Sequence, residues 1–384
     1  MEYLQKNIKD LEKKANLRRF PLAKNIGKYV ELNAKKMLNL ASNDYLGLAL
    51  NSELKSKFLR EIDIEKISFS YSSSRLLGGF FNEYEELEKL MADLFNSEAS
   101  LVVNSGYHAN LGILPAISDS KTLIIADKLV HASIIDGIIL SRSDFVRYIH
   151  NDYEHLEKII LKNYANYNRI ILVTESIFSM DGDESNLKKL VELKEKYKKI
   201  LLYVDEAHAI GVVGNKGLGL AEKENCIEKI DFLVGTFGKA IASVGAYIIC
   251  NKLVKENLIN KMRPLIFSTA LPPLNIAWTR FIMENINNFS KEREHLQKIS
   301  EKLRLSIKQK YSQTMSFSHI IPLVFGESRT SLEKAEILCE NGFYALPVRP
   351  PAVPAGSSRI RFSLNASITD DEISRLSQVI SDIL

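Results

Sequence analysis

The sequence predicts an α/β fold with a mostly parallel central sheet, followed by a smaller C-terminal α+β domain. Three observations carry this. Six short apolar runs end on small or polar residues: Ser100–Val103, Thr122–Ala126, Arg169–Glu175, Lys199–Asp205, Phe232–Thr236 and Ala246–Cys250. Helical stretches separate them, most clearly Asn186–Lys198. From about residue 276 the rhythm changes to long helix, strand, helix and a strand that alternates. Short β-branched runs between helices belong to parallel sheets covered on both faces.

The elements follow in order. Tyr3, Leu4, Ile8, Leu11 and Ala15 lie at helical spacing among Lys and Glu, which predicts an amphipathic helix over 3–16. Ser42-Asn43-Asp44 is a turn signal. The strand-helix region occupies residues 47–275 and is expected to form the large domain, with 1–46 as an N-terminal helix and arm. Residues 276–384 are expected to form the small domain. It reads as a helical region 276–310, a strand 320–325, a helix 331–341 and a strand 359–364. A last helix starts at Thr369, with Glu372 completing a capping box.

Composition removes several classes. The 384 residues are 46% apolar and 26% charged, which excludes disorder. A net charge of +4 is too small for a dedicated nucleic-acid binder. Residues 1–40 nevertheless hold ten Lys/Arg against four acids, so the remainder sums to −2. That arm is either a solvated helix face or an attractor for an anionic substrate carrier. Cys226, Cys250 and Cys339 are odd in number and show no metal-ligand spacing, which suits a reducing compartment. No apolar run approaches 18 residues and no signal peptide is seen, so a cytoplasmic protein is expected. Asp205-Glu206-Ala207-His208 spells a helicase motif, but no GxxxxGK[ST] precedes it. The seven histidines form no HxxxH or HExxH, so no catalytic metal is expected.

The strand ends carry the candidate chemistry, because ligands of such sheets bind beyond the carboxyl ends of the strands. Glu175 and Asp205 close two strands, and Gly235-Thr236-Phe237-Gly238-Lys239-Ala240 closes a third. Asn104–Asn110 forms a strand-to-helix turn with free N–H groups. A lysine, a strand-end carboxylate and a phosphate cup are what pyridoxal 5'-phosphate (PLP) needs to stabilise a carbanion next to an amine.

At these residues the sequence resembles the α-oxoamine synthases, PLP enzymes of the aspartate-aminotransferase fold. The matching segments are Ala41–Leu48, Ser105–Asn110, Asp127–Gly137, Glu175–Asp183, Val204–Gly211, Thr236–Ala240, Arg263–Pro273 and Arg349–Arg361. The resemblance implies that Lys239 bonds the cofactor and moves the substrate Cα proton. It implies that Asp205 pairs with the pyridine nitrogen, His208 with the ring oxygen, and that His131 stacks on the ring. Gly106, Tyr107, Ser179 and Thr236 would hold the cofactor. Arg349 would clamp the substrate carboxylate with Ala352 nearby, and Arg18 or its neighbour Arg19 would reach substrate from the arm. Ser268 and Thr269 would reach the site of a second subunit in a homodimer. Ser42–Leu48, His150-Asn151-Asp152 and the 348–356 loop look most like the member that joins L-alanine to pimeloyl-CoA or a pimeloyl-acyl carrier protein. Glycine or serine with another acyl-CoA, an aminotransferase and an inactive partner subunit remain alternatives. The chain departs from the family at Ser70–Ser74, Tyr84, Ala352 and Leu218.

Overall fold

The computed structural model describes residues 1–78, 82–308 and 316–384. The chain divides into two compact units. One contains Met1–Asn51, Ser179–Asp183 and Glu294–Leu384, and the other Ser52–Phe178 and Glu184–Arg293. This division differs from the expected one. The N-terminal segment shares a unit with the C-terminal residues, because its last strand pairs with a strand more than 300 residues away.

The chain opens with α1 (Glu2–Lys13), β1 (Lys24–Ile26), β2 (Tyr29–Leu32) and β3 (Lys35–Asn39). The larger unit then holds α2 (Ser52–Glu61), α3 (Asn82–Leu94), β4 (Ala99–Val103), α4 (Gly106–Ile117), β5 (Thr122–Asp127) and α5 (Ala132–Ser141). It continues through β6 (Asp144–Tyr148), α6 (Tyr153–Asn163), β7 (Arg169–Glu175), α7 (Leu187–Lys196), β8 (Ile200–Asp205) and α8 (Leu220–Lys223). β9 (Phe232–Thr236), β10 (Ala246–Cys250), α9 (Lys252–Lys261), α10 (Arg263–Ile266) and α11 (Pro273–Glu284) complete it. After α12 (Ser290–Lys308) come β11 (Ile320–Gly326), α13 (Ser328–Glu340), β12 (Phe343–Tyr344), β13 (Pro347–Val348), β14 (Ser358–Ser363) and α14 (Asp370–Ile383).

The larger unit is built on a seven-stranded sheet in the order β4-β10-β9-β8-β7-β5-β6. From β9 to β6 all pairs are parallel, whereas β10 runs antiparallel to both its neighbours. The link from β9 to β10, residues 237–245, is too short for a crossover helix, so the chain must turn back. β4, β5, β9 and β10 are buried at every position, as the continuous apolar runs require. Leu101, Ile113, Ile124, Ile171, Tyr203 and Ile248 join one core cluster. Helix starts are capped by side chains: Ser105, Asp152, Asn186 and Asn251 each accept from the backbone N–H three residues on.

Two departures from the family acquire a packing role. Tyr84 is fully buried and its hydroxyl accepts from Leu271 N at 2.8 Å. The Arg75 guanidinium lies 3.9 Å from the Tyr84 ring centroid and 2.8 Å from the buried Glu88 carboxylate. Leu218 is buried, with its N–H bonded to Glu222.

In the smaller unit β1-β2-β3-β12 form one sheet and β11-β14-β13 another. Val30, Met37 and Tyr344, from β2, β3 and β12 of the first sheet, pack together. Thr369 and Glu372 form the expected capping box at α14. The expected helix 276–310 is instead α11, a 3₁₀ turn Ile286–Phe289 and α12. Its break falls in the run Asn285-Ile286-Asn287-Asn288, where short amides compete for the backbone bonds of a helix. Residues 309 and 310 of that expectation lie outside the described residues. Among the described residues no helix is long and apolar enough to cross a membrane.

Candidate active site

The strand ends converge on one side of the larger sheet. β7 ends at Glu175 and β8 at Asp205, and the register places these two side by side. β9 ends at Thr236, three residues before Lys239. The Nζ of Lys239 lies 2.8 Å from Nε2 of His208, which the turn after β8 presents. Asp205 accepts N–H bonds on both oxygens: Oδ1 from Ala207 N at 2.9 Å and Oδ2 from the buried Asn110 amide at 2.8 Å. Two fixed N–H donors orient a carboxylate without competing for its outward lone pairs.

His131 stands at the N-cap of α5, and its backbone N–H donates to Glu175 Oε1 at 2.5 Å. Burial pushes the His131 imidazole down; the Asp205 charge opposes this and the Lys239 charge reinforces it. The Asp205 and Lys239 charges therefore both reach the His131 ring. Burial, then the Asp205 charge, raises the Glu175 carboxyl well above the usual carboxylate range. Two neighbouring carboxyls in one buried site do not both ionise easily.

The two stretches expected to form a phosphate cup lie together. A Cβ placed on Gly106 would sit 3.7 Å from Thr236 Cβ. The first turn of α4 leaves the N–H groups of Gly106 and Tyr107 without intrahelical acceptors. Thr236 Oγ1 donates to Gly245 O at 3.0 Å and accepts from Gly238 N at 3.1 Å, so its expected donation to a phosphate competes with a structural bond. Gly235 is needed for packing: the space of its missing side chain is filled by the Tyr247 phenol on β10, whose hydroxyl oxygen a Cβ would meet at 2.3 Å. Ser268 is half-buried and Thr269 exposed; Asn104 Nδ2 donates to Thr269 O at 2.6 Å.

The smaller unit gathers the other expected residues. Arg18 Nη2 donates to the carbonyls of Arg349 at 2.9 Å and Pro350 at 3.0 Å. Ala352 N donates to Arg349 O at 3.1 Å. Arg349 Nη1 donates to Ala15 O, while its Nε is buried without a partner. Arg19 points elsewhere, 3.6 Å from Glu12. The structure thus groups Arg18, not Arg19, with Arg349. Ser179 O accepts from Arg361 Nε at 2.5 Å.

Sequence reading passed over Asn110 as a ligand of Asp205, and over Ser133 and Glu206. Glu206 is fully buried and accepts from Ser176 Oγ at 2.6 Å and from the N–H groups of Leu220 and Ala221 at 3.0 and 2.7 Å. Burial pushes its carboxyl up to about 7. Each is a single polar residue whose spacing carries no signal.

The donor set fits PLP. It has an amine held by an imidazole, a carboxylate fixed by two N–H groups, and free backbone donors at a helix start beside a glycine. Fold and site together define a PLP-dependent transferase of the aspartate-aminotransferase fold. The profile of the aminotransferase class I and II family matches residues 35–380. A protein of Haemophilus influenzae is 52% identical over 97% of this chain and 98% of its own length. One of Neisseria meningitidis is 53% identical over the same shares. Both bear the name "Putative 8-amino-7-oxononanoate synthase". Serine palmitoyltransferase of S. paucimobilis, solved with a PLP–myriocin adduct, superposes with a TM-score of 0.90 at 26% identity, covering 99% of this chain and 96% of that one. An 8-amino-7-oxononanoate synthase from Francisella tularensis gives 0.75 at 28% identity, covering 90% and 97%. The chain belongs to the aminotransferase class I and II family and, within it, to the PLP-dependent acyltransferases of the α-oxoamine synthase group.

Proposed function

We propose that the chain condenses L-alanine with a pimeloyl thioester, on CoA or an acyl carrier protein, giving 8-amino-7-oxononanoate, CO₂ and the free thiol. The observation that carries this reading is the Lys239–His208–Asp205 arrangement in a chain 52% identical to relatives bearing that product's name. A cytoplasmic homodimer, with Ser268 and Thr269 reaching the second site, belongs to the same reading.

Bound PLP would supply the sink for the electron pair left on alanine Cα. Lys239 Nζ would anchor the cofactor and take the Cα proton, leaving that carbon to bond the thioester carbonyl as the thiolate departs, and would return a proton to the same carbon after the carboxylate has left as CO₂. His208 holds Nζ on a fixed line through its 2.8 Å bond, and it would pair with the ring oxygen of bound PLP. Asp205 keeps the pyridine nitrogen protonated, the state in which the ring withdraws electrons best. Gly106 and Tyr107 N–H groups, with Thr236 and Ser179, take the phosphate end. His131 would cover the ring face on the side of the incoming thioester. Arg349, with its unpartnered Nε, takes the alanine carboxylate, where a planar guanidinium suits a bidentate bond. Arg18 steadies the Arg349 backbone.

The test is a matrix of alanine, glycine and serine against pimeloyl, palmitoyl and acetyl thioesters, read as thiol release. A serine-specific reading is favoured by the TM-score of 0.90 to serine palmitoyltransferase, and the same matrix decides it. Thiol release with alanine and pimeloyl thioester supports the proposal; release only with serine and palmitoyl-CoA replaces it.

A further inference from the structure

A continuous chain of side-chain hydrogen bonds joins His131 to Asp205. His131 Nδ1 lies 2.8 Å from Ser133 Oγ, Ser133 Oγ 3.0 Å from Asn110 Nδ2, and Asn110 Nδ2 2.8 Å from Asp205 Oδ2. Ser133, Asn110 and Asp205 are buried, at 1%, 2% and 5% exposure, so water does not substitute for the links from Ser133 through Asn110 to Asp205. The Tyr203 hydroxyl closes the far side of the amide by donating to Asn110 Oδ1.

Donor and acceptor accounting fixes every proton in this chain. Burial raises the Tyr203 phenol well above its ordinary value, so it remains a donor. Asn110 Oδ1 must therefore be the acceptor, which sets the amide orientation. Its Nδ2 has two hydrogens, and the two acceptors in reach are Asp205 Oδ2 and Ser133 Oγ. Ser133 Oγ accepts from Asn110, so its own proton points to His131 Nδ1. An independent bond agrees: Ser133 N, which can only donate, reaches His131 Nδ1 at 3.3 Å. Nδ1 is an acceptor on both counts.

We infer that Ser133 and Asn110 are positioning residues that lock His131 as the neutral imidazole with its proton on Nε2. The inference rests on the proposed role of His131 over the cofactor ring only for its functional meaning; the lock itself is a property of this chain. It leaves Nε2–H as a hydrogen-bond donor on the side of the ring remote from the lock. The same Asn110 amide holds Asp205, so the ring stacker and the pyridine-nitrogen partner are both referenced to one side chain. The groups acting on the His131 ring include Asp205, Lys239 and Asp136, two of them acidic, so charge alone would favour an imidazolium. The lock and burial oppose that.

The test is ¹⁵N NMR of histidine-labelled protein without cofactor, with His131→Gln assigning the signal. Wild type is expected to show His131 as one neutral tautomer, Nδ1 unprotonated and Nε2 protonated, at neutral pH. Ser133→Ala is expected to raise the fraction with a proton on Nδ1 by about fivefold, the effect of one lost hydrogen bond. An imidazolium or an Nδ1–H tautomer in wild type overturns the inference without any variant. So does an unchanged tautomer in a folded Ser133→Ala protein. Wild type showing the expected tautomer while failing to condense alanine with a pimeloyl thioester would defeat the proposed function and leave the lock standing.

Discussion

Nζ of Lys239 and Nε2 of His208 are 2.8 Å apart, although 31 residues separate them in the chain. The parallel β8–β9 pair brings them together: His208 follows the end of one strand, and Lys239 the end of the next. Lys239→Ala is therefore expected to abolish both turnover and the visible absorbance of the lysine-bound cofactor, with the fold intact by circular dichroism. Wild-type turnover in that variant would remove Lys239 from the chemistry.

Arg349→Lys keeps the charge and loses the planar fork. Its expected effect is a rise of about tenfold in the alanine KM, the loss of one charge-assisted bond, with the thioester KM unchanged. Steady-state kinetics with each substrate varied in turn decides it. Equal rises in both KM values would make Arg349 a structural residue of its loop.

Glu206 gives a pH dependence with a definite sign. Its carboxyl holds its proton more tightly in the folded chain, at about 7 against an ordinary 4.5. Such a group contributes stability below the ordinary value, and the contribution is lost as pH rises through the folded one. Between pH 4.5 and about 7 the wild type should lose on the order of 3 kcal/mol relative to Glu206→Gln. Urea unfolding of both proteins across that range measures it, and parallel curves would contradict it.

The basic arm offers a salt-dependent prediction. No residue of α1 is buried and Lys14 just beyond it is exposed, so Lys6, Lys9, Lys13 and Lys14 are open to act through the solvent. Neutralising these four should raise the thioester KM at low salt, less so at high salt, and leave the alanine KM alone. Unchanged kinetics at both salt levels would reduce the arm to a solvated face.

Much of the fold was legible because buried parallel strands write themselves as apolar runs. The bounds of β7, β9 and β10 are those read from sequence. The edge strand β6 was not legible, since Asp144-Phe145-Val146-Arg147-Tyr148 has only Tyr148 buried. The small sheet was hidden for another reason: its partner strand β12 has two residues and meets β3 from the far end of the chain. At the site, Asp205 and the loop carrying Lys239 stood out because they close successive strands, and His208 through the family resemblance alone. Asn110 and Ser133 did not, because an isolated amide or hydroxyl near a helix start reads as capping. Their roles exist only in the distances of 3.0 and 2.8 Å that the fold creates.

The most direct measurement is the rate of thiol release from a pimeloyl thioester with alanine, glycine or serine as the second substrate, with CO₂ and the amino-ketone product quantified together. Condensation predicts one CO₂ and one 8-amino-7-oxononanoate per thiol with alanine, at a kcat/KM at least about tenfold above glycine and serine, as a pocket that measures a methyl group allows. Conversion of alanine to pyruvate without any thioester, or thiol release confined to serine or glycine, would contradict it.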